Sequence, residues 1–188
     1  MIKKYSQFYK ESNSEKYISI LISDGFQDRE TLDPISFLEK RGYKTIVIGT
    51  RLGEKSAYNS DEKVEVKKLV RDVNPNDLLC LIIPGGKSPE GLKNNSDVKS
   101  FVRRTFNLGV PIAAICHGPQ VLLSSIDLEG RKLTGYRDIK SEIEESGAKY
   151  FDQSVVIDRN LISSREPKDI PDFCNSILNK IKYYQKLN

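Results

Sequence analysis

At 188 residues the chain is long enough to bury a substantial core as one domain without disulfide or metal staples. Its 30% charged and 38% apolar residues and its formal net charge of +4 are ordinary for a globular protein and supply no basic arm for nucleic acid. Three cysteines, an odd number with no C-x-x-C pair, speak against a disulfide framework or a structural zinc site. No stretch approaches a membrane span and no apolar signal core opens the chain, so a reducing cytoplasm is the expected compartment.

Residues 1–16 (MIKKYSQFYKESNSEK) are polar, with Tyr5, Phe8 and Tyr9 as their main apolar content, and read as an extension ahead of a domain at 17–188. Tyr17–Ser23 is a short apolar run stopped by Asp24-Gly25, which predicts a buried strand. From about Asp28 to Arg41 the spacing is helical, with Leu32, Ile35, Leu38 and Phe37 as inward positions and Gly42 as the stop. Thr45–Ile48 predicts a second strand. Residues 51–76 are polar and turn-rich, with short strand signals around Val64–Val66. Leu78–Ile83 is a continuous apolar strand ended by Pro84-Gly85-Gly86.

Ser96–Leu108 predicts an amphipathic helix with Ser96 as its N-cap and Gly109 after it. Val110–Ile115 is a strand that runs into Cys116, and a helix follows from about Pro119 to Ser125. A short strand near Lys132–Thr134, a helix over Asp138–Ser146, two strands paired across Asp158-Arg159-Asn160 and a helix over Ile170–Tyr184 complete the chain. Strands alternating with helices predict a mostly parallel sheet covered on both faces. Ligands of such sheets bind beyond the carboxyl ends of the strands. Asp24–Glu30, Pro84–Glu90 and Cys116–Gly118 all fall at such ends, so they are expected to share one site.

Within that site Cys116 stands first. Ala114-Ile115-Cys116-His117-Gly118 is a small-x-nucleophile-x-Gly pattern, the signature of a sharp strand-to-helix turn that exposes a reactive side chain. Backbone N–H groups and the dipole of the following helix are expected to favour thiolate over thiol. Cys80, inside an apolar strand, and Cys174, on the last helix, read as small buried hydrophobes. His117 is the only histidine; its backbone N–H is placed to donate to an oxyanion, and its imidazole is open as a general base.

The Gly85-Gly86 pair lets backbone N–H groups approach a ligand closely, but Leu81 stands where a P-loop needs glycine, so the phosphate-binding reading fails. Amides near Gly86 and His117 are candidates for an oxyanion hole. Glu30 reads either as a first-turn acid favoured by the helix dipole or as a crevice carboxyl whose pKa rises by burial and which shares a proton with Cys116. Glu90 carries the same two readings. No dinucleotide fingerprint and no metal-ligand cluster stands in the sequence, so no cofactor is expected.

At these residues the chain resembles the ThiJ/PfpI superfamily, and within it the PfpI-like branch. AICHGPQVLL, IIPGGKSPEGL, FQDRETLDP, GRKLTGY and ISSREPKD carry the resemblance, spread from about residue 17 to 182. It implies a flavodoxin-like three-layer α/β sandwich with Cys116 as nucleophile on a strained elbow and His117 as the adjacent histidine. It implies that Glu30 hydrogen-bonds the sulfur, that Gly86 and the His117 amide form the oxyanion site, and that Tyr136 lies beside the cysteine. Glu90 matches an acid that reaches the histidine of a neighbouring subunit, which implies a homo-oligomer, a dimer or a hexamer. Gln27 stands where family members often carry an acid, making this pocket less acidic than theirs.

Three functions follow from this resemblance. Cys116 adds to small reactive carbonyls with Glu30 as proton shuttle, in the manner of glyoxalase III or a deglycase. Alternatively, Cys116, His117 and Glu90 of another subunit hydrolyse peptides or amides. In the third, the protein is a redox sensor or a holdase.

Overall fold

The computed structural model describes residues 16–187. The expected polar extension therefore lies outside the described residues except for Lys16, whose Nζ sits 5.6 Å from the centre of the Tyr184 ring.

Two apolar runs build the centre. β1 (Tyr17–Leu21) and β6 (Leu78–Ile83) are buried along their whole length and pair in parallel. Such continuous apolar strands need cover on both faces, because every side chain must leave water. The cover comes from the intervening segments. α1 (Asp28–Glu39) returns the chain to β2 (Thr45–Gly49), and a hairpin of β3 (Gly53–Ser56) and β4 (Lys63–Val66) leads into the two-residue β5 (Lys68–Leu69). After β6 come the short α2 (Ser88–Leu92) and α3 (Ser96–Asn107), then β7 (Ile112–Ile115) and α4 (Pro119–Leu123). β8 (Lys132–Leu133) and β9 (Lys149–Tyr150) flank α5 (Lys140–Glu145) and pair with each other. β10 (Val155–Asp158), β11 (Leu161–Ser164) and α6 (Ile170–Leu187) close the fold.

The seven-stranded sheet has the order β10-β11-β7-β6-β1-β2-β5, parallel throughout except for the β10–β11 hairpin. Alternate residues of the central strands feed two cores. Leu21, Leu81, Ile83 and Ile112 meet Phe101 and Val102 of α3 on one face. Ile18, Ile20, Ile82 and Ala113 meet Leu38 of α1 and Phe173, Ile177 and Ile181 of α6 on the other. The result is the flavodoxin-like three-layer sandwich.

Local departures from expectation have local causes. The N-cap of α3 is Asn95 rather than Ser96: its side-chain oxygen takes the amides of Asp97 and Val98 at 3.0 and 3.1 Å. Leu32, an expected inward position of α1, is only half-buried, and the inner face is Thr31, Pro34 and Leu38. β7 starts at Ile112, two residues later than its apolar run, because Pro111 has no N–H to donate to a ladder.

Candidate active site

The elbow after β7 is formed as its sequence suggests. Cys116 is held at φ +62°, a left-handed conformation that an L-residue adopts only under constraint. Its N–H donates to Ser164 O on β11 at 3.1 Å, and its carbonyl accepts from Tyr136 N–H at 2.9 Å. The turn fits because Gly118 lacks a Cβ; one there would collide with the Ile83 carbonyl. Sγ thus points into a crevice of about 630 Å³ above the carboxyl ends of β6 and β7. Gln27, Glu30, Tyr58, Gly86, Glu90 and Tyr136 are among the residues that line it. Cys80 and Cys174 lie in the core, where burial pushes both thiols up.

Glu30 sits at the first turn of α1 and is fully buried. Both sequence-based readings of it meet here, since it is a first-turn acid and also a crevice carboxyl. Its Oε2 accepts from Gly85 N–H at 2.8 Å, while Oε1 is buried with no hydrogen-bond partner of regular geometry. The carboxyl faces the Cys116 sulfur. Burial raises its pKa from 4.5 to about 7, against the pull of the Gly85 amide and the thiol. Gly85 serves as a bracket more than an oxyanion donor, because its N–H is already committed to Glu30. A Cβ on Gly85 would sit 2.6 Å from Cys116 Cβ and 2.7 Å from Glu30 Oε2, so only glycine lets acid and sulfur close on each other.

The thiol departs from expectation. α4 is only five residues long, so little macrodipole accumulates under Sγ. Burial and the nearby Glu30 carboxylate push the Cys116 thiol up, and the amides of Gly86 and His117 pull it down by a smaller amount. The proton is therefore managed by the Cys116–Glu30 pair, not by the helix.

His117 Nδ1 lies 3.3 Å from Cys116 Sγ, and the imidazole packs against Tyr136 with ring centres 5.3 Å apart. Burial lowers its pKa below the ordinary histidine value, so the ring is neutral at pH 7. Asp138, Glu142 and Glu90 act on it through space, but among the described residues no carboxylate hydrogen-bonds it. Asp138, Glu142, Tyr58, Lys87 and Glu166 are crevice residues that sequence reasoning did not single out. Tyr58 arrives on the β3–β4 hairpin, docked through its N–H to Phe26 O, and no local motif marks it. Four carboxylates besides Glu30 line the crevice; Asp138 is paired with Arg137 and Glu166 with Lys168, which leaves Glu90 and Glu142 facing Lys87.

The model of the DJ-1/PfpI family matches residues 16–180. The chain belongs to that family. DJ-1/PfpI relatives of matching length include “Putative cysteine protease YraA” of Bacillus subtilis, 36% identical over 167 residues that span 89% of this chain and 99% of that one. A two-domain protein of Anabaena variabilis with DJ-1/ThiJ/PfpI-like and ferritin-like domains superposes with a TM-score of 0.87 at 31% identity. That match covers 89% of this chain and 48% of the other, so the chain spans about half the length of that protein. Drosophila melanogaster DJ-1beta is similar with a TM-score of 0.81 at 25% identity, over 92% of this chain and 96% of its own. Among the described residues, no helix is long and apolar enough to cross a membrane.

Proposed function

We propose that the protein is a cytoplasmic, cofactor-independent cysteine enzyme that acts on small reactive carbonyls in the manner of glyoxalase III or a deglycase. The observation that carries this reading is Glu30: a fully buried carboxyl, bracketed by Gly85 N–H and facing the thiol, whose proton titrates near neutrality. With methylglyoxal, Cys116 Sγ adds to the aldehyde carbon, and the former carbonyl oxygen takes up the thiol proton as a hemithioacetal. Glu30 removes the proton from that carbon and returns it to the neighbouring carbon, converting ketone to hydroxyl and hemithioacetal to thioester. Water cleaves the thioester, releasing lactate and the thiol. The atoms balance as dicarbonyl plus water to hydroxy acid, with no external oxidant. The amides of Gly86 and His117 supply donors for the oxyanion of the first and last steps.

The test is lactate formation from methylglyoxal by purified protein. Cys116→Ala should abolish it, and Glu30→Gln should lower it by about 10²-fold or more. Wild-type protein no better than Cys116→Ala would reject the reading.

A second reading, hydrolysis of peptides or amides, is favoured by the neutral His117 ring 3.3 Å from Sγ and by the name given to the Bacillus relative. It requires an orienting acid for His117, which Glu90 of a second copy in a homodimer or hexamer would supply. Unchanged peptidase turnover in Glu90→Gln would exclude that arrangement.

A further inference from the structure

We propose that Gln27 is a specificity-determining residue of this crevice: a fixed amide donor for an uncharged acceptor oxygen beside the carbon that Cys116 attacks. This deepens the reading of Cys116 as the attacking group and rests on it.

Gln27 is the N-cap of α1, and its side-chain Oε1 accepts from Glu30 N–H at 2.6 Å. That contact fixes which way the amide faces, since the opposite orientation would set Nε2 against an N–H. The remaining group, Nε2–H₂, hydrogen-bonds to no described residue. Gln27 is buried, with 7% of its surface left, and it lines the crevice. Its own N–H donates to Gly85 O, and its backbone nitrogen lies 2.7 Å from where a Gly86 Cβ would stand. The Gly86 amide in turn reaches the Cys116 sulfur. The Gln27 backbone is thereby packed against the glycine whose amide reaches the nucleophile, and its side chain lines the same crevice as Cys116.

Two features narrow what this donor binds. The Gly85 N–H is already used by Glu30, so Nε2 is an additional donor and not a copy of an existing one. Of the rim carboxylates, Asp138 pairs with Arg137 and Glu166 with Lys168, and Glu90 and Glu142 stand against Lys87, an excess of negative charge that disfavours an anionic acceptor. A neutral carbonyl oxygen next to the electrophilic carbon, as in 2-oxoaldehydes and α-substituted amides, satisfies both. A simple aldehyde offers only the oxygen that becomes the oxyanion on addition, and no second acceptor for Nε2.

The test separates this donor from turnover. Cys116 is alkylated at pH 8 with iodoacetamide, which bears a carbonyl beside the reacting carbon, and with allyl iodide, which does not. In both cases an S–C bond forms, iodide leaves and the thiol proton passes to solvent. Intact-mass kinetics, corrected with Cys116→Ala, give a rate ratio from which thiol ionisation cancels. Gln27→Glu keeps the α1 cap but replaces donor with acceptor, and Gln27→Met removes the donor without adding charge. The ratio is expected to fall about fivefold in both, the worth of one neutral hydrogen bond. A ratio within about twofold of wild type in either variant, with native near-ultraviolet circular dichroism, overturns the proposal. A ratio that falls in both variants, in a protein whose wild type makes no lactate, would uphold Gln27 and reject the glyoxalase reading alone.

Discussion

A carboxyl and a thiol, both withdrawn from water, share the floor of the crevice, and their chemistry follows from having one proton too many or too few between them. Groups this close titrate as a pair, so reactivity should follow the first proton lost from the two together. We therefore expect iodoacetamide labelling of Cys116 to rise with pH through a midpoint near 7, where Glu30 titrates. In Glu30→Gln the thiol ionises alone under its burial penalty, and the midpoint should move well above that of wild type. The same residue makes a stability prediction of defined sign. Between 4.5 and about 7 the folded state binds a proton that the unfolded state has lost, so stability falls as pH rises across that window. Glu30→Gln lacks this slope. Its advantage over wild type in urea unfolding should grow from pH 4.5 to pH 8, towards about 3 kcal/mol. A constant difference across that range would show that Glu30 is not held against its charge.

At the level of elements, the elbow between β7 and α4 and the turn after β6 place the chemistry. Cys116 adopts φ +62°, which costs an L-residue about 1 kcal/mol and costs glycine nothing. Cys116→Gly should accordingly unfold at higher denaturant than Cys116→Ala, by about 1 kcal/mol, although both lack the thiol. Equal stability would mean that the elbow relaxes once the sulfur is gone. Gly85→Ala should disable the site with little damage to the core: its methyl forces Glu30 and Cys116 apart, and the labelling midpoint near 7 should be lost.

These elements were legible to different degrees. The central strands and the three long helices α1, α3 and α6 declare themselves through apolar runs and helical spacing, and the elbow through Cys116-His117-Gly118. β4 and β8 were expected around Val64–Val66 and near Lys132–Thr134 and stand at Lys63–Val66 and Lys132–Leu133, whereas β3, β5 and β9 are short or polar and pair with distant partners, so neither they nor the placement of Tyr58 could be read locally. The burial of Glu30 was readable only as one of two alternatives, because the same first-turn position serves the helix dipole. The state of the thiol was not legible, because the burial and the facing Glu30 carboxyl that raise its pKa are set by distant packing and not by the residues of the elbow.

Over the whole molecule, charge is distributed against the overall sign. The chain carries +4, yet at the crevice Glu90 and Glu142 outnumber Lys87, with Asp138 and Glu166 already paired to Arg137 and Lys168. Rim carboxylates facing solvent repel anions over about 10 Å at 0.1 M salt. Iodoacetate should therefore label Cys116 faster as salt is raised, while neutral iodoacetamide should not change. Equal salt dependence of the two reagents would mean that the rim field does not reach the sulfur. The crowding around the elbow has a further consequence, for how the protein can be altered by selection or in the laboratory. At Gly85 and Gly118 even one added methyl group has nowhere to go, so the scaffold behind the sulfur offers no room for gradual change. Variation in substrate range must run instead through the side chains that meet the ligand from the front, Gln27, Tyr58, Lys87, Asp138 and Glu142, and a mutant library confined to these positions should keep its members folded while spreading their preferences.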